Sequence, residues 1–129
     1  MNKQRYGKDP LDAELIKLKP CKRPSCVSSQ ADRDSHHYIE PIKVEGDPVE
    51  IFDLVKTLIA EWNRSKIVVS TENYVHVLVR TRIGFIDDVE FLFRPGDNVI
   101  HVRSAARMGY FDWGVNRARI EALRSLITK

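Results

Sequence analysis

The stretch that decides the fold is Phe85-Ile86-Asp87-Asp88-Val89-Glu90-Phe91-Leu92-Phe93-Arg94-Pro95-Gly96-Asp97-Asn98-Val99-Ile100-His101-Val102-Arg103-Ser104-Ala105. Two runs of alternating apolar and polar residues flank a Pro-Gly-Asp-Asn turn, which is the pattern of an antiparallel hairpin with one buried face. Taking Pro95 to Asn98 as the loop sets Phe93 opposite Ile100 and Phe91 opposite Val102. On the other face Leu92 meets His101 and Glu90 meets Arg103. Apolar residues then gather on one side and opposite charges on the other. A slip of one residue would exchange the faces, so the pattern selects this register.

Working outward, Tyr74 to Thr81 alternates in the same way, and the loop around Ile83-Gly84 joins it to the hairpin. The register expected there pairs Val79 with Val89, Val77 with Phe91 and Arg80 with Asp88. Ile67 to Ser70 reads as a further strand, and Tyr38 to Val44 as an extended edge segment, because Pro41 cannot donate to a central ladder. Asp47 caps a helix with Pro48 at its first position and Glu50 completing an Asp-x-x-Glu box; Phe52, Val55, Leu58, Ile59 and Trp62 form its apolar face. A last helix is expected after Asp112 as its cap, burying Val115, Ile120, Leu123, Leu126 and Ile127. The fold class is α+β: an antiparallel meander of about five strands packed by two helices in two layers, with the last helix lying across the sheet in a helix-grip manner.

A chain of 129 residues fits one domain, and 43% hydrophobic residues supply one core. Residues 1–17 read as a flexible tail, with a short helical turn from Asp12 to Leu18. Residues 18–129 read as a single domain whose 20–37 segment, rich in Pro, Ser and Cys, is a strap. No run approaches the roughly 20 apolar residues of a membrane span. The polar, basic start from Met1 to Lys8 shows no secretory signal and points to the cytoplasm, although an export signal already removed would leave the same sequence. The net charge of +3 is spread along the chain apart from Lys17, Lys19, Lys22 and Arg23, which argues against a nucleic-acid interface and for a solvated surface.

Three groups of residues carry chemistry. The first is the polar sheet face, with Arg80, Arg82, Asp88, Glu90, His101 and Arg103: either cross-strand ion pairs on a wet surface or an anion site whose arginines are oriented by the carboxylates. Alternation sends Asp87 to the apolar side, where it needs a buried cation, and Arg107 or Arg117 is the expected partner. The second is Cys21, Cys26, His36 and His37. Two reduced thiols in a packed strap is the leading reading, a disulfide the next and a metal site the third, and the domain is expected to fold without a bridge. The third is the turn into the last helix, where Arg103, Arg107, Asn116 and Arg117 gather near a helix N-terminus: either an anion site or, as the leading reading, a capped helix with Arg–carboxylate links to the sheet. No Gly-rich phosphate loop, Gly-x-Ser-x-Gly elbow or His-Glu-x-x-His occurs, and no cofactor is called for. Ser28, Ser29, Ser35 and Ser104 are candidate hydroxyls that nothing in the sequence pairs with a base.

Several stretches carry a family likeness. Cys26-Val27-Ser28-Ser29, His37-Tyr38-Ile39-Glu40-Pro41-Ile42 and Gly84-Phe85-Ile86-Asp87-Asp88-Val89-Glu90-Phe91 resemble the family of domain of unknown function 1499. So does Val102-Arg103-Ser104-Ala105-Ala106-Arg107-Met108-Gly109-Tyr110, followed by Asp112, Gly114, Val115, Asn116 and Arg117. The matches fall in the family's order from about residue 18 to the end. Where the family carries Pro-x-Ser-Pro-Asn between its cysteines, Lys22-Arg23-Pro24-Ser25 is one residue shorter. The resemblance implies kinship without a mechanism. The leading functional expectation is therefore a non-catalytic module that binds a small ligand or a protein partner. An enzyme using the Asp/Glu/Arg cluster is the alternative, and a redox- or metal-responsive protein using Cys21 and Cys26 is a third.

Overall fold

The structure, a computed structural model, describes residues 17–109 and 113–128. Its elements run β1 (Val27–Ser28), β2 (Ile42–Lys43), α1 (Pro48–Ala60), β3 (Ser65–Ser70), β4 (Tyr74–Arg80), β5 (Ile86–Arg94), β6 (Val99–Ala106) and α2 (Val115–Ile127). β3 to β6 form an antiparallel meander. The short β1 and β2 both pair with the free edge of β6, at Ser104/Arg103 and Ile100/Val99 respectively. The fold class is α+β as the alternation requires, with β1 added where the sequence reads as strap. The tail and its helical turn from Asp12 lie outside the described residues, apart from Lys17 and Leu18.

The β5–β6 register is the expected one throughout, with Phe93 opposite Ile100, Phe91 opposite Val102, Leu92 opposite His101 and Glu90 opposite Arg103. The β4–β5 register differs by two residues. Val77 pairs with Val89, Val75 with Phe91, and Arg80 with Ile86 rather than Asp88. The cause is the turn. Thr81 N donates to Phe85 O at 2.8 Å and Gly84 N to Thr81 O at 2.9 Å, leaving a tight Arg82-Ile83-Gly84 loop with Gly84 at φ 92°. Glycine takes that left-handed position at little cost, so the hairpin closes one residue earlier on each strand. A two-residue slip preserves the faces, so the core is unaffected while every polar partner changes.

Val75, Val77, Val89, Phe91, Ile100 and Val102 face both helices, and Phe52, Val55, Ile59, Ile120 and Leu123 close the second layer. Asp47 caps α1 as expected, its Oδ1 accepting from Val49 N at 2.9 Å. The end of α2 is tied down by Arg124, which donates to Pro41 O at 2.8 Å and Glu40 O at 2.7 Å. The stripe of α2 departs from expectation. Asn116, Ile120 and Leu123 are buried with Ile127 packed beside them, while Val115 and Leu126 are exposed. Spacing alone let a polar residue be overlooked as the first rung of that face. The expected Asp112 cap lies outside the described residues; the cap position itself is held by Gly114 at φ 77°.

Candidate functional site

β4, β5 and β6 turn their second set of side chains away from the helices, and the strap crosses this polar face. Leu18 anchors it by packing on Tyr74 and Leu92, and its backbone N donates to Gln30 Oε1 at 2.8 Å. Between strap and sheet lies a cleft of about 600 Å³. Its floor is Tyr74, His76, Asp88, Glu90, Arg103 and Arg107, and its wall carries Lys19, Lys22, Arg23 and Cys26.

The floor is a continuous polar network. Asp88 accepts from Arg107 through both oxygens, at 2.8 and 3.0 Å, and its Oδ1 lies 2.9 Å from His76 Nε2. A carboxylate can only accept, so Nε2 carries the proton and Nδ1 is the nitrogen left for other work. Burial opposes ionisation of Asp88, yet the hydrogen bonds and charges of Arg107 and His76 outweigh it and hold the carboxyl below its ordinary value. Glu90 accepts from the Tyr74 hydroxyl and from Arg103 Nη1, the latter at 3.3 Å. Arg103 Nε is buried with no partner among the described residues. Arg23 ties wall to floor by donating to Arg107 O at 3.2 Å.

The remaining expected site residues separate into structural roles. Arg80 is exposed and donates to Gly84 O at 3.3 Å, and Arg82 lies exposed in the turn, so neither reaches the cleft. Asp87 is buried as expected, but its partner is Arg119, at 2.7 Å, and neither Arg107 nor Arg117. Arg107 is engaged by Asp88, while Arg117 donates to His36 O at 2.9 Å. Arg119 also donates to Asn116 Oδ1 at 2.6 Å and Ser104 Oγ at 3.0 Å, and Asn116 Nδ2 donates to Ser25 O at 2.8 Å. Asp87, Ser104 and Asn116 are thus an internal network joining sheet, helix and strap. They are not an anion site at the helix N-terminus.

The reduced-thiol reading is corrected. Cys21 and Cys26 form a disulfide, and their sulfurs are therefore not available as thiolate ligands. His36 and His37 stack on each other at 4.1 Å, and His37 Nδ1 lies 2.9 Å from Cys26 O. No group of three metal-ligating side chains is present among the described residues.

One hydroxyl does meet a base. Ser29 Oγ is 2.8 Å from His101 Nδ1 and accepts from Val102 N at 2.9 Å, a pair that braces the strap against β6 outside the cleft. Burial first, and repulsion from Arg94 second, lower His101 from 6.5, with Asp97 opposing. The unfolded chain is then the better proton binder. Stability is full above the unfolded value and falls as pH drops from there through the folded one. Urea melts on either side of pH 6.5 should show that loss, and His101→Gln should flatten it. An unchanged slope in the variant would exclude His101 as its source.

Sequence reasoning missed Tyr74 and His76 in this site, and placed Lys19, Lys22 and Arg23 on a solvated surface. Tyr74 and His76 were legible in principle. They alternate with Val75, Val77 and Val79, and the Gly84 turn puts His76 directly opposite Glu90.

Fold and cleft together define a two-layer α+β domain with a charged cleft on the helix-free face of its sheet. The chain belongs to the family described as protein of unknown function (DUF1499), whose model matches residues 17–127. No curated protein and no solved structure matches it. No helix among the described residues is long and apolar enough to cross a membrane.

Proposed function

We propose that the domain is a non-catalytic binding module that takes a small anionic ligand in the strap-covered cleft. The observation that carries this reading is the charge inventory of the cleft: among the described residues, Lys19, Lys22, Arg23, Arg103 and Arg107 face only Asp88 and Glu90. Both carboxylates are already paired, so cationic groups are left over. Buried donors are rarely left unpaired, and the Nε of Arg103 is one that a carboxylate or phosphate oxygen would satisfy. Native mass spectrometry of protein purified from its own organism tests this. A retained anionic small molecule is expected, and Arg103→Met should release it. A wild-type protein that carries nothing, and that gains no thermal stability from phosphate or carboxylate compounds, would count against the cleft as a ligand site.

A catalytic reading is favoured by one observation, the His76–Asp88 pair, which orients an imidazole at the floor of this cationic cleft. Turnover of the retained compound by wild type, abolished in His76→Asn while binding persists, would move the assignment to an enzyme. The bridge between Cys21 and Cys26 supports an oxidising compartment in place of the cytoplasm, since disulfides rarely persist among reducing thiols.

A further inference from the structure

One end of the sheet presents exposed apolar side chains. Ile83, at the tip of the β4–β5 turn, is 76% exposed and Phe85 beside it 47%. Met108 is 65% exposed, and the ladder brings it next to Phe85, because Arg107 N donates to Ile86 O at 2.9 Å. Trp113, 93% exposed, stands just before α2, whose first turn is held at this end of the sheet by Asn116 on Ser104. Single exposed apolar residues are ordinary on any surface. Four at one end, two in the β4–β5 turn and two in the segment between β6 and α2, are a patch of the kind that marks an interaction surface.

The charges beside this patch say what covers it. Arg80 and Arg82 are exposed in or next to the β4–β5 turn, and Arg107, next to Met108, is half exposed. Asp87 is buried against Arg119 and Asp88 is spent on Arg107, so among the described residues Arg80 and Arg82 carry the uncompensated charge of this rim. Protruding apolar residues, a tryptophan among them, inside a cationic rim match the interface of an anionic bilayer. There apolar side chains enter the acyl boundary and arginines meet headgroup charge. We propose that this end of the domain docks peripherally on an anionic lipid surface, inserting Ile83, Phe85, Met108 and Trp113. The proposal does not depend on what the cleft binds.

Co-sedimentation with phosphatidylcholine vesicles, with and without phosphatidylserine, tests it. Binding should require phosphatidylserine, weaken with added salt, and shift tryptophan emission to the blue in wild type but not in Trp113→Phe. The double variant Ile83→Asp/Met108→Asp should bind at least about tenfold more weakly. Its melting temperature should be unchanged, because both side chains are already in water. Three results would overturn the proposal: no binding to phosphatidylserine vesicles at low salt; binding undiminished in the double variant; or self-association of wild type that the double variant abolishes. The last would make the patch a contact between copies of the chain.

Discussion

Replacing Asp87 by alanine is expected to destabilise the domain by about 3–5 kcal/mol in urea melts. Asp87 is 2% exposed and the Arg119 side chain 12%, so the variant would leave a guanidinium inside the protein whose remaining partners among the described residues, Asn116 and Ser104, are neutral. The neighbouring carboxylates set the scale. Asp88 is bound to an arginine that is half exposed, and Asp88→Ala should cost about 1 kcal/mol. Glu90, more enclosed and holding Tyr74 as well as Arg103, should cost about 2 kcal/mol. The pairing is tested by a double-mutant cycle, in which Asp87→Ala made in an Arg119→Ala background should lose most of its effect. Equal small losses at all three acids would refute the buried-pair account.

Removing the disulfide with Cys21→Ser/Cys26→Ser is expected to cost about 2 kcal/mol, the loop-closure entropy of so short a ring. For a domain of this size that lowers the melting temperature by roughly 8 °C. The effect is bounded because Leu18 on one side, and the contact of Asn116 with Ser25 on the other, hold the strap independently. Unchanged melting would show that those contacts suffice alone and that the bridge is incidental to folding.

The fold was legible because alternation and caps are local signals. Val75, Val77, Val89 and Phe91 announce a buried face whatever their partners, and Asp47-Pro48 announces a helix start. The site was less so, because its members come from pairings that local pattern does not determine. The β4–β5 register turns on whether Gly84 sits in a three-residue loop, and that choice decides whether Asp88 or Ile86 lies opposite Arg80. Arg119 escaped notice because a lone arginine on a helix reads as solvated until the facing strand supplies Asp87. Cysteine spacing left thiol, bridge and metal all open, since it does not bring two sulfurs together; that took the packing of the strap on β6 and α2.

The strap has a consequence for how this cleft can change. Apart from Arg107, its floor is locked into strands where each residue also holds a ladder position, so altering Arg103 or Glu90 risks the partner across the sheet. Lys19, Lys22 and Arg23 sit in or next to the bridged segment outside the meander, and the Arg23 side chain hydrogen-bonds the backbone at Arg107 O. These three wall positions, all within five residues of sequence, can therefore change while the floor stays fixed. Acidic or apolar residues at those three positions would change the charge and shape of the cleft without disturbing the sheet beneath it.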